Sequence, residues 1–195
     1  MRAVSSSEIG GRPVRASRLV SHVAFVGADR ASSLFTNLTV GENLVIRLDR
    51  DISRGPLGLQ RRRMRAIAQE LRSSFGVKSD GIDVGIRSLS GGNQQKVAIA
   101  AAMARKPDVL ALEEPTRGVD IASKAEIYEI LRSYASAGNT VLLFCTEIPE
   151  VFEATDRLHV VSEGRLSAPL EVADFPSMEA LAKVIASLER HGSVV

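Results

Sequence analysis

A serine and two glycines shortly before the longest apolar stretch of this chain constrain its fold more than any other feature. In the run Leu89-Ser90-Gly91-Gly92-Asn93-Gln94-Gln95-Lys96, Ser90 is suited to cap a helix, because its hydroxyl can accept a hydrogen bond from a backbone N–H that has no partner in the first turn. From Val97 to Ala104 the helix is apolar nearly all round, so it is expected to be buried. Pro107 ends it. Val109-Leu110-Ala111-Leu112 follows as a short apolar strand, closed by Glu113-Glu114-Pro115-Thr116, and Glu113 lies 23 residues after Ser90.

The rest of the second half alternates strand and helix. Ile121 to Tyr134 reads as a helix, since Ile127, Ile130, Leu131 and Tyr134 fall at i, i+3, i+4 and i+7 with Gly138 as the stop. Thr140 to Cys145 reads as a strand, Pro149 to Ala154 as a short helix and Leu158 to Val161 as a further strand. This alternation predicts an α/β fold with a parallel sheet flanked by helices. Gly164 turns the chain into a last segment, in which Met178, Leu181, Ala182, Ile185 and Leu188 form one apolar stripe behind a Ser177 cap. Upstream, the first nine residues are Ser-rich and are expected to be unordered, with order beginning near Pro13. Val23 to Val26 is a short strand closed by Gly27, and Thr39 caps a short helix through Glu42, Asn43, Leu44 and Ile46. Asp49 to Gly58 reads as a loop.

Composition narrows the class. At 195 residues, 45% hydrophobic and 25% charged, the chain can build a globular core. The only cysteine, Cys145, follows an apolar run and suits a buried thiol in a reducing compartment. No apolar stretch approaches the roughly 20 residues of a membrane span, and the N-terminus has no apolar signal core. Residues 1–80 carry 14 Lys and Arg against 7 acids, residues 81–195 carry 11 against 16. The Arg61-Arg62-Arg63 run opens an amphipathic helix with Met64, Ile67, Ala68, Leu71 and Phe75 on one face, so these arginines read as its solvated face and nucleic acid is not an expected partner.

Two elements carry chemistry. Glu114 would sit at the C-terminal edge of an apolar strand, where open parallel sheets place their ligands. Gly91 and Gly92 leave backbone amides unobstructed at a helix N-terminus, and those amides with the Ser90 hydroxyl can bind a terminal phosphate at the positive end of the helix dipole. No Gly-Lys dipeptide occurs, so the phosphate loop Gly-x-x-x-x-Gly-Lys-Ser/Thr is not in this sequence.

Leu89-Ser90-Gly91-Gly92 resembles the signature of ATP-binding-cassette (ABC) ATPases, and Val109 to Glu114 resembles their Walker B strand with its catalytic glutamate. From Leu89 to Leu166 the chain is similar to the C-terminal nucleotide-binding domain of bacterial ATPases that energise sugar uptake. The residues that carry this are Asn93-Gln94-Gln95-Lys96, Glu114-Pro115-Thr116-Arg117-Gly118-Val119-Asp120, Lys124-Ala125-Glu126-Ile127-Tyr128, Glu147-Ile148-Pro149-Glu150-Val151 and Asp156-Arg157. Gly11-Arg12-Pro13-Val14, Val26-Gly27-Ala28-Asp29-Arg30 and Leu38-Thr39-Val40 with Glu42-Asn43 follow the family more loosely.

The resemblance implies a partial P-loop NTPase fold of the ABC ATPase type, with a helical signature subdomain. It implies one partial nucleotide-binding domain over 1–195: a strand remnant at 10–30, a helical subdomain at 31–105, a Walker B, D-loop and switch core at 106–166 and a C-terminal helix at 167–195. ATP and Mg2+ are the implied ligands. Glu114 is the implied catalytic residue and Glu113 the implied metal ligand, standing where the family has aspartate, so Mg2+ affinity is expected to suffer. Ser90, Gly91, Gly92, Asn93 and Gln94 are implied to contact nucleotide across a dimer. Asp120 matches the D-loop aspartate, and Thr146 takes the place of the switch histidine. Ala28 occupies the position of a Gln or Glu that senses the metal and the transporter, and a methyl group can do neither.

The implied partners are a second nucleotide-binding domain, the membrane subunits of the transporter and, indirectly, a periplasmic or extracellular sugar-binding protein. The implied location is peripheral, on the cytoplasmic face of the membrane. Phe35, Leu38 and Val40 are expected to receive a helix of the membrane subunit. The chain would correspond to a cassette cut after its phosphate loop, with an apolar sheet face left open. Two expectations then stand: an ATP-hydrolysing importer component, inactive in isolation, or a silent, non-enzymatic cassette partner.

Overall fold

The computed structural model describes residues 7–9, 12–15, 18–48, 52, 58 and 60–191. These form two compact units, one up to Phe144 and one from Cys145.

A three-stranded parallel sheet organises the first unit: β3 (Val23–Val26), β4 (Val109–Glu113) and β5 (Thr140–Phe144), in the order β3-β4-β5. β4 is central because its side chains are apolar on both faces, and Leu110 and Leu112 are fully buried. Val26 pairs with Leu112, and Leu112 with Leu143. By this register Phe25, Ala111 and Leu142 share the opposite face with Phe144, and there Phe25 is 52% exposed, Leu142 47% and Phe144 49%. Ala111, between them on the central strand, is buried, so the exposed part of this face is Phe25, Leu142 and Phe144.

Among the described residues the α-helices of the first unit include α1 (Leu19–His22), α2 (Arg30–Ser33), α3 (Val40–Val45), α4 (Arg61–Ser74), α5 (Gly91–Met103) and α6 (Ile121–Ser136). α5 packs on β3 and α3, and α6 on β5. α5 is buried from Val97 to Ala102, as its apolar circumference requires. α3 begins with a capping box: Thr39 Oγ1 accepts from the Glu42 amide at 3.2 Å and Glu42 Oε2 accepts from the Thr39 amide at 2.8 Å. Ser7–Ile9 (β1) pairs antiparallel with Arg12–Val14 (β2), so order begins before Pro13; residues 1–6 lie outside the described set. The expected loop at 49–58 also lies outside it, except Ile52 and Gly58.

The second unit comprises α7 (Ile148–Ala154), β6 (Arg157–Leu158), β7 (Val161–Ser162), β8 (Arg165–Leu166), β9 (Leu170–Glu171) and α8 (Met178–His191). Here the expected strand Leu158 to Val161 is replaced by two short antiparallel pairings, β6 with β9 and β7 with β8. The cause is local. Glu163 (φ 50) and Gly164 (φ 75) both adopt the left-handed conformation a two-residue hairpin turn needs. Ser167 then ties off the interruption, its Oγ accepting from the Val160 amide at 2.9 Å. Ser177 caps α8 through the Ala180 amide, as its sequence position predicts. Cys145, the residue after β5, is half-buried rather than buried.

Candidate functional site

The site is built from the C-terminal end of β4 and the N-termini of α5 and α6. β4 ends at Glu113, and Glu114 turns sharply, with φ at 45. A non-glycine residue held there is strained by about 1–2 kcal/mol, and its neighbours hold it in place. Its amide donates to the Phe144 carbonyl at 2.8 Å, and its carbonyl accepts from Arg117 at 3.1 Å. The buried Thr116 hydroxyl pairs with the Tyr128 hydroxyl at 3.0 Å, anchoring this turn to α6. Gly118, with φ at 66, lets the turn close.

Glu113 projects from the strand end, and its Oε2 accepts a long bond of 3.4 Å from the Ala28 amide. The longer carboxylate thus reaches across to the segment after β3, where Ala28 offers its backbone amide and no polar side chain. Among the described residues no group of three or more His, Cys, Asp or Glu could hold a metal by itself. The donor set still suits Mg2+, which is held through one or two carboxylates while phosphates and water fill the remaining positions.

Ser90 caps α5: its hydroxyl accepts from the Asn93 amide at 3.4 Å and from Asn93 Nδ2 at 2.9 Å. Neither bond uses the Ser90 hydroxyl hydrogen. Asn93 Oδ1 accepts from the Lys78 amide at 2.8 Å, and Gln94 Nε2 donates to the Leu89 carbonyl at 3.0 Å. The side chains of Asn93 and Gln94 therefore brace the turn that presents Ser90. Beside Ser90 opens a cleft of about 820 Å³ with Arg72, Lys78, Ser79, Ser88 and Asn93 on its walls.

The two glycines differ. Gly92 is where α5 approaches α6: a Cβ at Gly92 would fall inside the Ser123 side chain and 3.4 Å from Asp120 Oδ2. Gly91 faces the Arg30 guanidinium, and a Cβ there would lie 3.6 Å from the Gly118 carbonyl. Asp120 caps α6, accepting from the Ser123 amide at 3.0 Å. That amide and then the Ser123 hydroxyl hold the Asp120 carboxyl below its usual range. Ser90, Gly91, Gly92, Asn93, Gln94, Glu113, Glu114 and Asp120 thus all lie in the first unit, whereas Thr146 lies in the second, exposed, just before α7.

Sequence reasoning missed two residues. Lys96 is 1% exposed, its Nζ donating to the Gly76 carbonyl at 2.6 Å and to Glu126 Oε2 at 2.7 Å. Its signal was a cation at the edge of the apolar stretch Val97 to Ala104. Arg30 reaches Gly91 and Gly118 from the segment after β3, and nothing in its neighbours along the chain reveals this.

A family model described as ABC transporter matches residues 5–117. The chain is similar to the ribose import ATP-binding protein RbsA 2 of Rhizobium etli, 38% identical over 181 residues, which cover 91% of this chain and 35% of that protein. It is also similar to the ribose import ATP-binding protein RbsA of Shouchella clausii, 40% identical over 161 residues, covering 82% of this chain and 32% of that protein. The chain thus spans about a third of the length of the curated relatives it matches. Among solved structures, cbiO1 of Clostridium perfringens, part of the ABC transporter complex cbiONQ, superposes with a TM-score of 0.68 at 22% identity, over 94% of this chain and 71% of that one.

Proposed function

Because this chain belongs to the ABC transporter family, we propose that it supplies the signature, Walker B and D-loop surfaces of an ATP-hydrolysing cassette in a sugar-type importer. The observation that supports this most is the packing of the signature onto the turn after Glu114, through Gly91 against Gly118 and Gly92 against Ser123. That contact keeps the α5 amides and a strand-end carboxylate in one compact unit, which supports a reading as phosphoryl-transfer machinery, where positioning dominates catalysis.

In this reading Glu114 orients the attacking water and accepts its proton, while Glu113 would hold Mg2+, which would supply neutralisation of phosphate charge. Ser90 and the α5 amides donate to the terminal phosphate of an ATP presented by a second cassette. Asn93 and Gln94 keep those donors aimed. Asp120 faces the dimer partner, and Thr146 takes the place of the switch residue. The division into a helical signature part at 31–105 and a catalytic core at 106–166 belongs to the same proposal, as do the membrane subunits, a sugar-binding protein upstream and a peripheral place on the cytoplasmic face. No helix among the described residues is long and apolar enough to cross a membrane.

The test is association. The chain alone is expected to release no more phosphate than its Glu114→Gln variant, and to bind an intact cassette in an ATP-dependent manner that Ser90→Arg abolishes. ATP-dependent binding with no gain in phosphate release would favour the second reading, a silent cassette partner, which the methyl group of Ala28 and its contact with Glu113 also support. No ATP-dependent binding at all would leave Ser90 to Gly92 as a helix cap only.

The contact with the membrane subunit narrows to a smaller surface. Val40 is fully buried and belongs to the core, because it opens the capped helix α3. Phe35 is 53% exposed, and its loop is held from beneath by buried Asn43, which accepts from the Phe35 amide at 2.8 Å and donates to its carbonyl at 3.1 Å. An exposed aromatic on a braced loop suits a docking contact. A cysteine at Thr36, in a Cys145→Ser background, is expected to crosslink to the membrane subunit; cysteines at Thr36 and Ser33 that both fail to do so would remove this surface.

A further inference from the structure

We propose that Arg30 is a further nucleotide-contacting residue, a cation that acts beside Ser90 and Gly91 on the terminal phosphate of an ATP held by a second cassette. The proposal rests on the signature reading above and adds to it a residue from another element. Arg30 opens α2, four residues after β3 ends. Its guanidinium is wedged between the start of α5 and the turn after Glu114. A Cβ on Gly91 would collide with Nη1 and lie 3.3 Å from Cζ, and a Cβ on Gly118 would lie 3.4 Å from Nη2.

This placement is electrostatically wrong for a purely structural arginine. The positive end of the α5 dipole faces the guanidinium, a position that favours anions over cations. Among the described residues no acceptor forms a hydrogen bond or ion pair with it. Arginine presents five donors in a planar fork and can leave them unused in water, but it gains most from a phosphate met by two of them at once. An anion between Arg30 and the α5 amides would turn the local repulsion into attraction from both sides and would also meet the unused hydroxyl hydrogen of Ser90.

The geometry also gives Gly91 a reason to be glycine that differs from that of Gly92. Any side chain at Gly91 displaces the tip of Arg30, which is flexible, whereas a side chain at Gly92 displaces a packed helix. Gly91→Ala should therefore behave as a weaker Arg30 variant, and the two substitutions should not add, because they act on one contact.

The experiment titrates ATP into mixtures of this chain and an intact cassette whose own catalytic glutamate is changed to glutamine, so that ATP is not consumed. Arg30→Ala is expected to raise the ATP concentration for half-maximal association about tenfold, the scale of one lost charge-assisted contact. Arg30→Lys should raise it less, and Gly91→Ala in the Arg30→Ala background should add little. Melting of each variant alone reports folding, and a midpoint equal to that of the parent chain is expected. An Arg30→Ala chain that associates at the parental ATP concentration, while Ser90→Arg still abolishes association, overturns the role of Arg30 and leaves the signature reading intact. A parent chain that shows no ATP-dependent association overturns both.

Discussion

Replacing Glu126 by alanine is expected to destabilise the first unit more than replacing Lys96 by methionine, although both remove the same ion pair. Lys96 is 1% exposed on its side chain and Glu126 39%. Losing the carboxylate strands a buried ammonium whose remaining partner is the Gly76 carbonyl. Losing the lysine strands a carboxylate that water and Lys78, 3.0 Å away, can still satisfy. An uncompensated buried charge costs several kcal/mol, and with partial solvent access about 3 kcal/mol is the expected loss for Glu126→Ala. Lys96→Met keeps the volume and gives up two hydrogen bonds, an expected loss of about 1–2 kcal/mol. Urea unfolding of the two variants checks the order, and equal losses would mean that the ammonium is hydrated.

The same pair predicts a pH dependence. Hydrogen bonds from Lys96 first, and Lys78 second, hold the Glu126 carboxyl below its ordinary value. A carboxyl depressed on folding contributes stability that is present above its unfolded value, near 4.3, and is lost as pH falls through the lower folded value. The stability gap between the parent chain and Glu126→Gln should be widest at neutral pH and close in acid.

The second large effect is expected at Gly92. Gly92→Ala drives a methyl group into Ser123, a contact between two helix N-termini that cannot shift singly. Overpacking of this kind costs about 1–3 kcal/mol. Gly92→Ala should also lose ATP-dependent association with an intact cassette, since the amides of α5 and the Asp120 cap move together. Ser123→Gly in the same chain removes the obstructing Cβ and Oγ and should recover most of the stability; thermal melting of the single and double variants measures this. A double variant no more stable than Gly92→Ala would show that the glycine serves the open amides instead of the helix contact.

The resemblance to the ABC family was legible because its motifs are local. Ser90 with two glycines, Glu113-Glu114 after four apolar residues and Asp120 before a helical period each need only their neighbours in the chain. The caps at Thr39, Ser90 and Ser177 and the strands at Val23, Val109 and Thr140 stood out for the same reason: a helix end or a buried strand is set by residues within one turn or one pleat. Val40 shows the limit of such reading, because an apolar residue beside a cap serves the core and a docking face equally well in sequence.

What the amino-acid order determined by itself was therefore the list of elements and the chemistry each one offers. The tertiary structure alone decided which of them meet. Lys96 and Glu126 are 30 residues apart, and their pairing depends on α5 and α6 packing side by side. Arg30 reaches Gly91 and Gly118 only because β3 lies next to β4, and Phe25, Leu142 and Phe144 form one face only through the register of three strands. Parallel pairing joins segments far apart in the chain, so no local pattern encodes its partner or its register.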